Sequence, residues 1–130
     1  MEIKASLNYL RIAPRKVRLV TRIILGMNLK AAERELKFLN KRVAKPLLKL
    51  LNSAVANAKN NLSFDEKTID SLYIRRIVVD EGPKLKRWMP VSRGTAHPIQ
   101  KKTSHITIIL DEKVQKGKAE HKNVKAKTKK

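Results

Sequence analysis

The chain begins with an alternating pattern of apolar and polar residues that changes after ten residues to the spacing of a helix. Residues 2–7 alternate strictly, which predicts a short half-buried strand at the edge of a sheet. Pro14 suits the first turn of a helix because it has no amide N–H to satisfy, and apolar residues then recur at helical spacing up to Gly26. On another face this predicted helix gathers three arginines, Arg15, Arg18 and Arg22.

Two further helices are predicted between residues 28 and 60. Asn28 is a candidate N-cap for the second helix, and Asn40 is a candidate left-handed residue at its end. The third helix is expected to start near Lys41 or Arg42, because Pro46 is tolerated only in or near the first turn. Its apolar residues cover two sides, so we expect it to be the most buried element. Close approach to a sheet would be permitted by three small residues, Ala54, Ala56 and Ala58.

Two runs rich in β-branched residues follow a polar turn predicted at residues 63–70. These runs are LYIRRIVVD, starting at Leu72, and SHITIILD, starting at Ser104. In the second run, alternate residues differ in polarity, so one face should pack on helices while the other is partly exposed. The two runs are therefore predicted to pair as antiparallel strands.

The stretch between these two strands is strongly basic. From Lys84 to Lys102 it reads KLKRWMPVSRGTAHPIQKK, with six Lys or Arg, two prolines, one glycine and no acid. A segment of this length without its own core is uncommon in a compact domain and is usually functional or ordered by a partner. We predict a basic hairpin that reaches away from the folded body and displaces counterions from a polyanion such as nucleic acid. The alternative is a flexible surface loop.

Composition indicates one small domain with a polyanionic partner. The chain has 130 residues and a formal net charge of +20, and a second independent domain would not fit. Nucleic acid ranks above a membrane surface, because the lysine-rich segments offer no apolar face for anchoring. The absence of cysteine excludes disulfides and thiolate chemistry. The N-terminal residues do not resemble a signal peptide, and no run approaches roughly 18 apolar residues, which favours a soluble intracellular protein.

No constellation of residues points to catalysis. The eleven acids mostly lie at the ends of predicted elements, where solvated turn residues are the usual explanation. The histidines His97, His105 and His121 lack the spacing of a zinc site. We therefore expect no enzyme, metal or cofactor, and an RNA-processing enzyme is only a minor alternative because no acid–base pair is visible.

Two ring side chains have roles that the sequence leaves open. Trp88 lies among cations, which favours stacking on a base or packing across the hairpin, whereas a lone tryptophan is usually a core residue. His105 opens a strand, where it would hydrogen-bond across the hairpin or contact a phosphate.

The distribution of charge favours folded RNA over a regular duplex. Apart from Glu2, no acid precedes Glu33, whereas seven Lys or Arg do, and the hairpin and the C-terminal tail are similarly one-sided. Three separate basic elements suit a partner whose grooves and junctions converge from several directions. Residues 113–130 contain eight lysines and one glutamate, so we expect a tail that is disordered without RNA.

Four segments together are similar to one known family. They are APRKVRLV at residues 13–20, KPLLKLLNSAVANAKNN at 45–61, VVDEGPKLKRWMP at 78–90 and KKTSHITIIL at 101–110. In these segments the chain resembles the bacterial large-subunit ribosomal proteins numbered twenty-two, a family universal among ribosomes. The resemblance extends over nearly the whole chain to about Glu112.

The resemblance implies an α+β fold with three helices packed on a three-stranded antiparallel sheet and a long projecting β-hairpin. It implies one domain at residues 1–112 that includes an arm at residues 82–103. The implied function is that of a structural constituent of the large ribosomal subunit in the bacterial cytoplasm, which binds large-subunit rRNA and supports subunit assembly. The arm is expected to extend along the nascent-peptide exit tunnel. Implied partners are rRNA, neighbouring ribosomal proteins, the nascent peptide and macrolides, with no membrane and no obligate homo-oligomer.

On this hypothesis the expected rRNA-binding residues are cations and ring side chains of the body and the arm: Arg11, Arg15, Lys16, Arg18, Arg22, Lys84, Lys86, Arg87, Trp88, Arg93, His97, Lys101, Lys102 and His105. The expected tunnel-lining tip comprises Leu85, Lys86, Arg87, Trp88, Met89, Pro90, Val91, Ser92, Arg93, Gly94, Thr95 and Ala96. A different hypothesis is a DNA-architectural protein, usually dimeric, whose proline-bearing arm inserts into the minor groove and bends the duplex.

Overall fold

The structure, a computed structural model, describes residues 2–62, 64 and 66–112. Within these ranges it contains five strands and four α-helices. In chain order they are β1 (Ile3–Leu10), α1 (Pro14–Ile24), α2 (Leu29–Phe38), α3 (Ala44–Leu62), α4 (Glu66–Ser71), β2 (Leu72–Glu81), β3 (Leu85–Pro90), β4 (Ala96–Lys101) and β5 (Ser104–Glu112). The predicted α+β class is confirmed. The tail predicted at residues 113–130 lies outside the described residues.

Strand β5 is the centre of a three-stranded antiparallel sheet with the order β1-β5-β2. Its register with β1 pairs Ile3 with Leu110, and its register with β2 pairs Leu72 with Glu112. The predicted edge position of the first strand and the predicted pairing of the two β-branched runs are both confirmed. Alternate residues of β5 are buried and half-buried, which is the pattern of a sheet covered by helices on one face.

The core lies between this sheet and the three longer helices. Helix α3 contributes Leu47 and Leu51, both with no exposed surface, and it packs against β1. Ala54 and Ala58 are also fully buried, and their small side chains allow the helix to approach the sheet closely. Ala56, which the sequence grouped with them, is exposed instead because it lies on the opposite side of the helix.

The structure differs from the sequence prediction in three local details. The polar turn expected before β2 contains the short helix α4, which buries Ile69 against the core. Helix α2 ends through an extended Leu39 rather than a left-handed Asn40. Helix α3 begins at Ala44, slightly later than expected, and Pro46 therefore lies in its first turn as predicted. No helix in the described ranges is long and apolar enough to span a membrane.

Candidate nucleic-acid interface

The basic segment forms a separate two-stranded antiparallel sheet, β3 paired with β4, which we call the arm together with its connections at residues 82–84 and 102–103. The register pairs Leu85 with Lys101 at one end and Pro90 with Ala96 at the other. Every residue of β3 is exposed, and in β4 only Ile99 is partly covered. Since neither face is buried, the arm has no hydrophobic interior of its own.

Alternation along the two strands divides the arm into two faces. Leu85, Arg87 and Met89 share one face with the residues opposite them in β4, His97, Ile99 and Lys101. The other face carries Lys86, Trp88, Pro90, Ala96, Pro98 and Gln100. Trp88 is 72% exposed and directly opposite Pro98, which excludes the core position that a lone tryptophan usually occupies. Its indole is available to an external partner.

The tip of the arm is a tight turn between Val91 and Thr95. The amide N–H of Val91 donates to the carbonyl of Thr95 at 2.9 Å, and the intervening 3-10 turn spans Ser92–Gly94. Arg93 and Gly94 both have positive φ angles, 58° and 68°. This conformation suits glycine but costs a residue with a Cβ, so the turn holds Arg93 outward in a strained conformation.

A network of close contacts fixes the root of the arm. Gly82 donates its N–H to the carbonyl of Thr103 at 3.0 Å, and the Thr103 hydroxyl donates to the carbonyl of Pro83 at 2.7 Å. The fully buried Ser104 hydroxyl donates to the carbonyl of Ile12 at 3.0 Å, which ties β5 to the turn after β1. The arm therefore leaves the body in a defined direction.

The predicted cations of the body do not all have the same surroundings. Arg15, Lys16 and Arg22 are exposed along α1. Arg18 is also on this helix, but its Nη2 donates to the carbonyl of Val79 at 2.9 Å and thereby joins α1 to β2. Arg18 therefore has a structural partner within the fold, in addition to any external contact that its other N–H groups make.

His105 lies beside Tyr9 at a bulge in β1. The backbone N–H of Tyr9, which has a φ of 56°, donates to His105 Nδ1 at 3.3 Å. The two rings meet edge to face with centroids 4.7 Å apart. The sequence left open a bond across the hairpin or a phosphate contact for His105, and the bond observed is instead to β1, on the other side of β5 from β2. The Tyr9 ring that covers His105 is 65% exposed.

Three acidic residues with ion-pair partners, Glu2, Asp70 and Asp111, lie at the end of the sheet that is away from the arm. There Arg75 bridges Glu2 and Asp111, and Lys30 pairs with Asp70 at 2.5 Å. At the root, Glu81 pairs with Lys84 at 3.5 Å, and both side chains are exposed, so this pair contributes little to stability. In the described ranges, no three His, Asp or Glu side chains come together as metal ligands.

The structure brings several predicted residues together with one that the sequence prediction missed. A cleft of about 490 Å³, which we call the root cleft, lies between the body and the base of the arm. Its cationic lining residues are Arg11, Arg42, Arg87, Lys101 and Lys102. Arg42, which the sequence marks only as a possible start of the third helix, lies in the turn before α3. No periodicity in the sequence marks it, because its neighbours in the cleft are distant along the chain.

Comparison with known proteins identifies a single family. The model of the ribosomal protein L22p/L17e family matches residues 5–111. The large ribosomal subunit protein uL22 of Mesoplasma florum is 52% identical over 88% of this chain and all of its own length. The uL22 proteins of Thermus thermophilus and Bdellovibrio bacteriovorus are 52% and 47% identical over 87% of the chain, and over 97% and 100% of their own lengths. The chain belongs to the ribosomal protein L22p/L17e family.

Proposed function

We propose that this protein is a non-enzymatic structural constituent of the large ribosomal subunit that binds large-subunit rRNA and supports subunit assembly. Residues 1–112 act in this proposal as one unit, with residues 82–103 as the arm that reaches into the RNA. Family membership supports the assignment to the ribosome. The physical argument for RNA binding comes from the arm itself.

The observation that carries the proposal is that the arm is exposed on both faces and cationic without an acid between Lys84 and Lys102. Because these side chains are exposed and do not pack within the protein, they contribute to function through contacts with a partner. Phosphates supply that partner, since each neutralised phosphate releases condensed counterions. The exposed indole of Trp88 adds a surface on which an unpaired base can stack.

The finer part of the proposal concerns the tip. With a rise of about 3.3 Å per residue, the arm extends roughly 35 Å from Gly82 to Arg93. An arm of this reach, embedded in rRNA, would present its tip to the wall of the nascent-peptide exit tunnel. The tip would then contact the nascent peptide and macrolides, while the body contacts neighbouring large-subunit proteins.

Sedimentation of a cell lysate tests the assignment to the subunit. The native protein should comigrate with particles that contain the large subunit at high magnesium. When low magnesium separates the ribosomes into subunits, it should remain on the large subunits. Purified protein should also prefer folded large-subunit rRNA to random duplex DNA of equal length at the same salt concentration. Equal affinity for the two would contradict specific RNA binding and favour the DNA-architectural alternative.

Photocrosslinking tests the position of the tip. A photoreactive amino acid in place of Val91 should crosslink to a nascent chain in stalled ribosomes, because Val91 adjoins the exposed turn. The matched control is the same amino acid in place of Asn52, an exposed residue of α3 in the body. Crosslinks from both positions, or from neither, would contradict a tip that lines the tunnel.

A further inference from the structure

We propose that the root cleft is a binding site for the backbone of a single RNA strand and that Arg42 is one of its phosphate ligands. This inference deepens the proposed function and rests on it, since it assumes that the protein binds RNA. It assigns a ligand to a surface that lies apart from the turn between Val91 and Thr95 and from the outer face of α1. It also assigns a role to a residue that sequence analysis did not select.

Two walls of different origin form the cleft. Arg11, after β1, and Arg42, before α3, belong to the body. The opposite wall is the face of the arm that carries Arg87 and Lys101, and Lys102 continues it towards the root. The alternation of the strands explains this arrangement, because Leu85, Arg87 and Lys101 point to the same side and all three line the cleft.

The chemistry of the lining favours a polyanion. Among the residues that the structure describes, five cationic side chains line the cleft and no carboxylate does. In the free protein these like charges repel one another across the cleft, although salt with a Debye length of about 8 Å screens part of the repulsion. A phosphate backbone in the cleft removes that repulsion and releases counterions. The cations of both walls therefore favour binding.

The geometry favours a strand over a small anion. All five cationic residues are exposed, and none is buried as a ligand of an enclosed ion would be. They lie on two walls of a cleft of about 490 Å³, which suits an extended polyanion better than a single small ion. Arginine forks suit phosphate oxygens because they donate two parallel hydrogen bonds.

Binding at this site has a consequence for the arm. A strand that contacts Arg42 on the body and Arg87 on the arm fixes the angle between the two. The hydrogen bonds at Gly82 and Thr103 set this angle within the protein, and RNA in the root cleft would hold it from outside. The site would therefore couple docking of the body to insertion of the arm.

The test compares Arg42→Gln with a matched control, Arg34→Gln. Both arginines are exposed, but Arg34 lies on α2 outside the root cleft. Affinity for large-subunit rRNA is measured against salt concentration. Arg42→Gln should reduce the salt slope by about 0.7–0.9 and weaken binding roughly fivefold near 0.15 M salt. Arg34→Gln should change neither.

Each outcome of this test has a distinct meaning. If Arg42→Gln binds as the wild type does, or if both variants lose affinity equally, the root cleft is not the site and the proposal is overturned. If the wild type itself does not prefer rRNA to duplex DNA, the proposed function fails instead. Inorganic phosphate, added at constant ionic strength, should leave the difference between wild type and Arg42→Gln intact. If phosphate abolishes this difference in affinity, the cleft is a small-anion site and the proposal that it binds an RNA strand is overturned.

Directed cleavage provides a second readout that does not depend on affinity. The chain contains no cysteine, so Asn40→Cys and Ile99→Cys each create a unique attachment point for a hydroxyl-radical probe, one on the body and one on the cleft face of the arm. Both probes should cleave the same short stretch of rRNA, and a probe at Asn52→Cys on α3 should not. Cleavage of two unrelated stretches by the first two probes would contradict a single strand in the cleft.

Discussion

The contact between Gly82 and Thr103 predicts that a single added methyl group at the root destabilises the whole body. A Cβ at position 82 would lie less than 3.0 Å from Thr103 Oγ1, 3.1 Å from His105 Nε2 and 3.3 Å from the Thr103 carbonyl carbon. Thr103 is only 6% exposed, so its side chain has little space to move. Gly82 is therefore required for close approach of two strands.

The cost of Gly82→Ala follows from the two ways in which the fold can respond. If the strands move apart, the cost is that of overpacking, about 1–3 kcal/mol. If Thr103 rotates away, it loses its hydrogen bond to Pro83, which contributes about 1 kcal/mol, and the remaining contacts at 3.1 and 3.3 Å still require a shift. The fold takes the less costly response, so we expect a loss of about 1–3 kcal/mol, which is large relative to a domain stability of about 5–15 kcal/mol.

Urea unfolding of the free protein, followed by far-UV circular dichroism, measures this effect. The midpoint should fall while the dependence of the unfolding free energy on urea stays constant. The double variant Gly82→Ala with Thr103→Ala removes the closest contact, so its loss should be smaller than the sum of the two single losses by about 0.5–3 kcal/mol. An unchanged midpoint for Gly82→Ala, or additive losses in the double variant, would refute the steric argument.

Three further substitutions separate structural from RNA-binding roles. Arg18→Met keeps the aliphatic stem but removes the hydrogen bond to Val79, so the unfolding free energy without RNA should fall by about 0.5–1.5 kcal/mol; no change would contradict a structural role. Trp88→Ala should leave stability within about 0.5 kcal/mol, because the side chain is exposed, and should weaken rRNA binding by about 1–3 kcal/mol in a titration. Unchanged binding would exclude base stacking by Trp88. In Gly94→Ala the added Cβ meets no atom of the described residues within 4 Å, but it is imposed at a φ of +68°. About 1 kcal/mol of strain should therefore accelerate amide exchange in β3 and β4 without moving the global midpoint. Unaltered exchange in the arm would show that the tip relaxes freely.

The order of elements was predictable from the sequence because it depends on local periodicity. The stripe of α1, with buried Val17 and Ile24, and the alternation of β5 each repeat over enough residues to identify the element and its buried face. Helix α4 was missed because it has one buried apolar residue, Ile69, and a single residue has no period. The left-handed end predicted at Asn40 is wrong because asparagine only tolerates that conformation, and Asn40 does not adopt a positive φ here.

The sequence predicted most of the cationic residues of the candidate interface but not which of them lie together. The cationic arm and the cations of α1 are visible as one-sided charge in the sequence. The sequence did not indicate that Arg18 hydrogen-bonds to Val79 or that His105 bonds to the backbone of Tyr9, because both contacts join residues more than sixty positions apart. Arg42 was missed for the same reason.

By itself, the sequence determined which faces of the helices and strands are apolar and that the segment from Lys84 to Lys102 has no hydrophobic core of its own, because both depend on residue type and short-range spacing. Only the tertiary structure decided that Gly82 lies against Thr103 and that Arg42 shares a cleft with Arg87. These proximities depend on strand register and on the path of the chain between distant residues. Local spacing carries no information about either, so they arise only when the whole body folds.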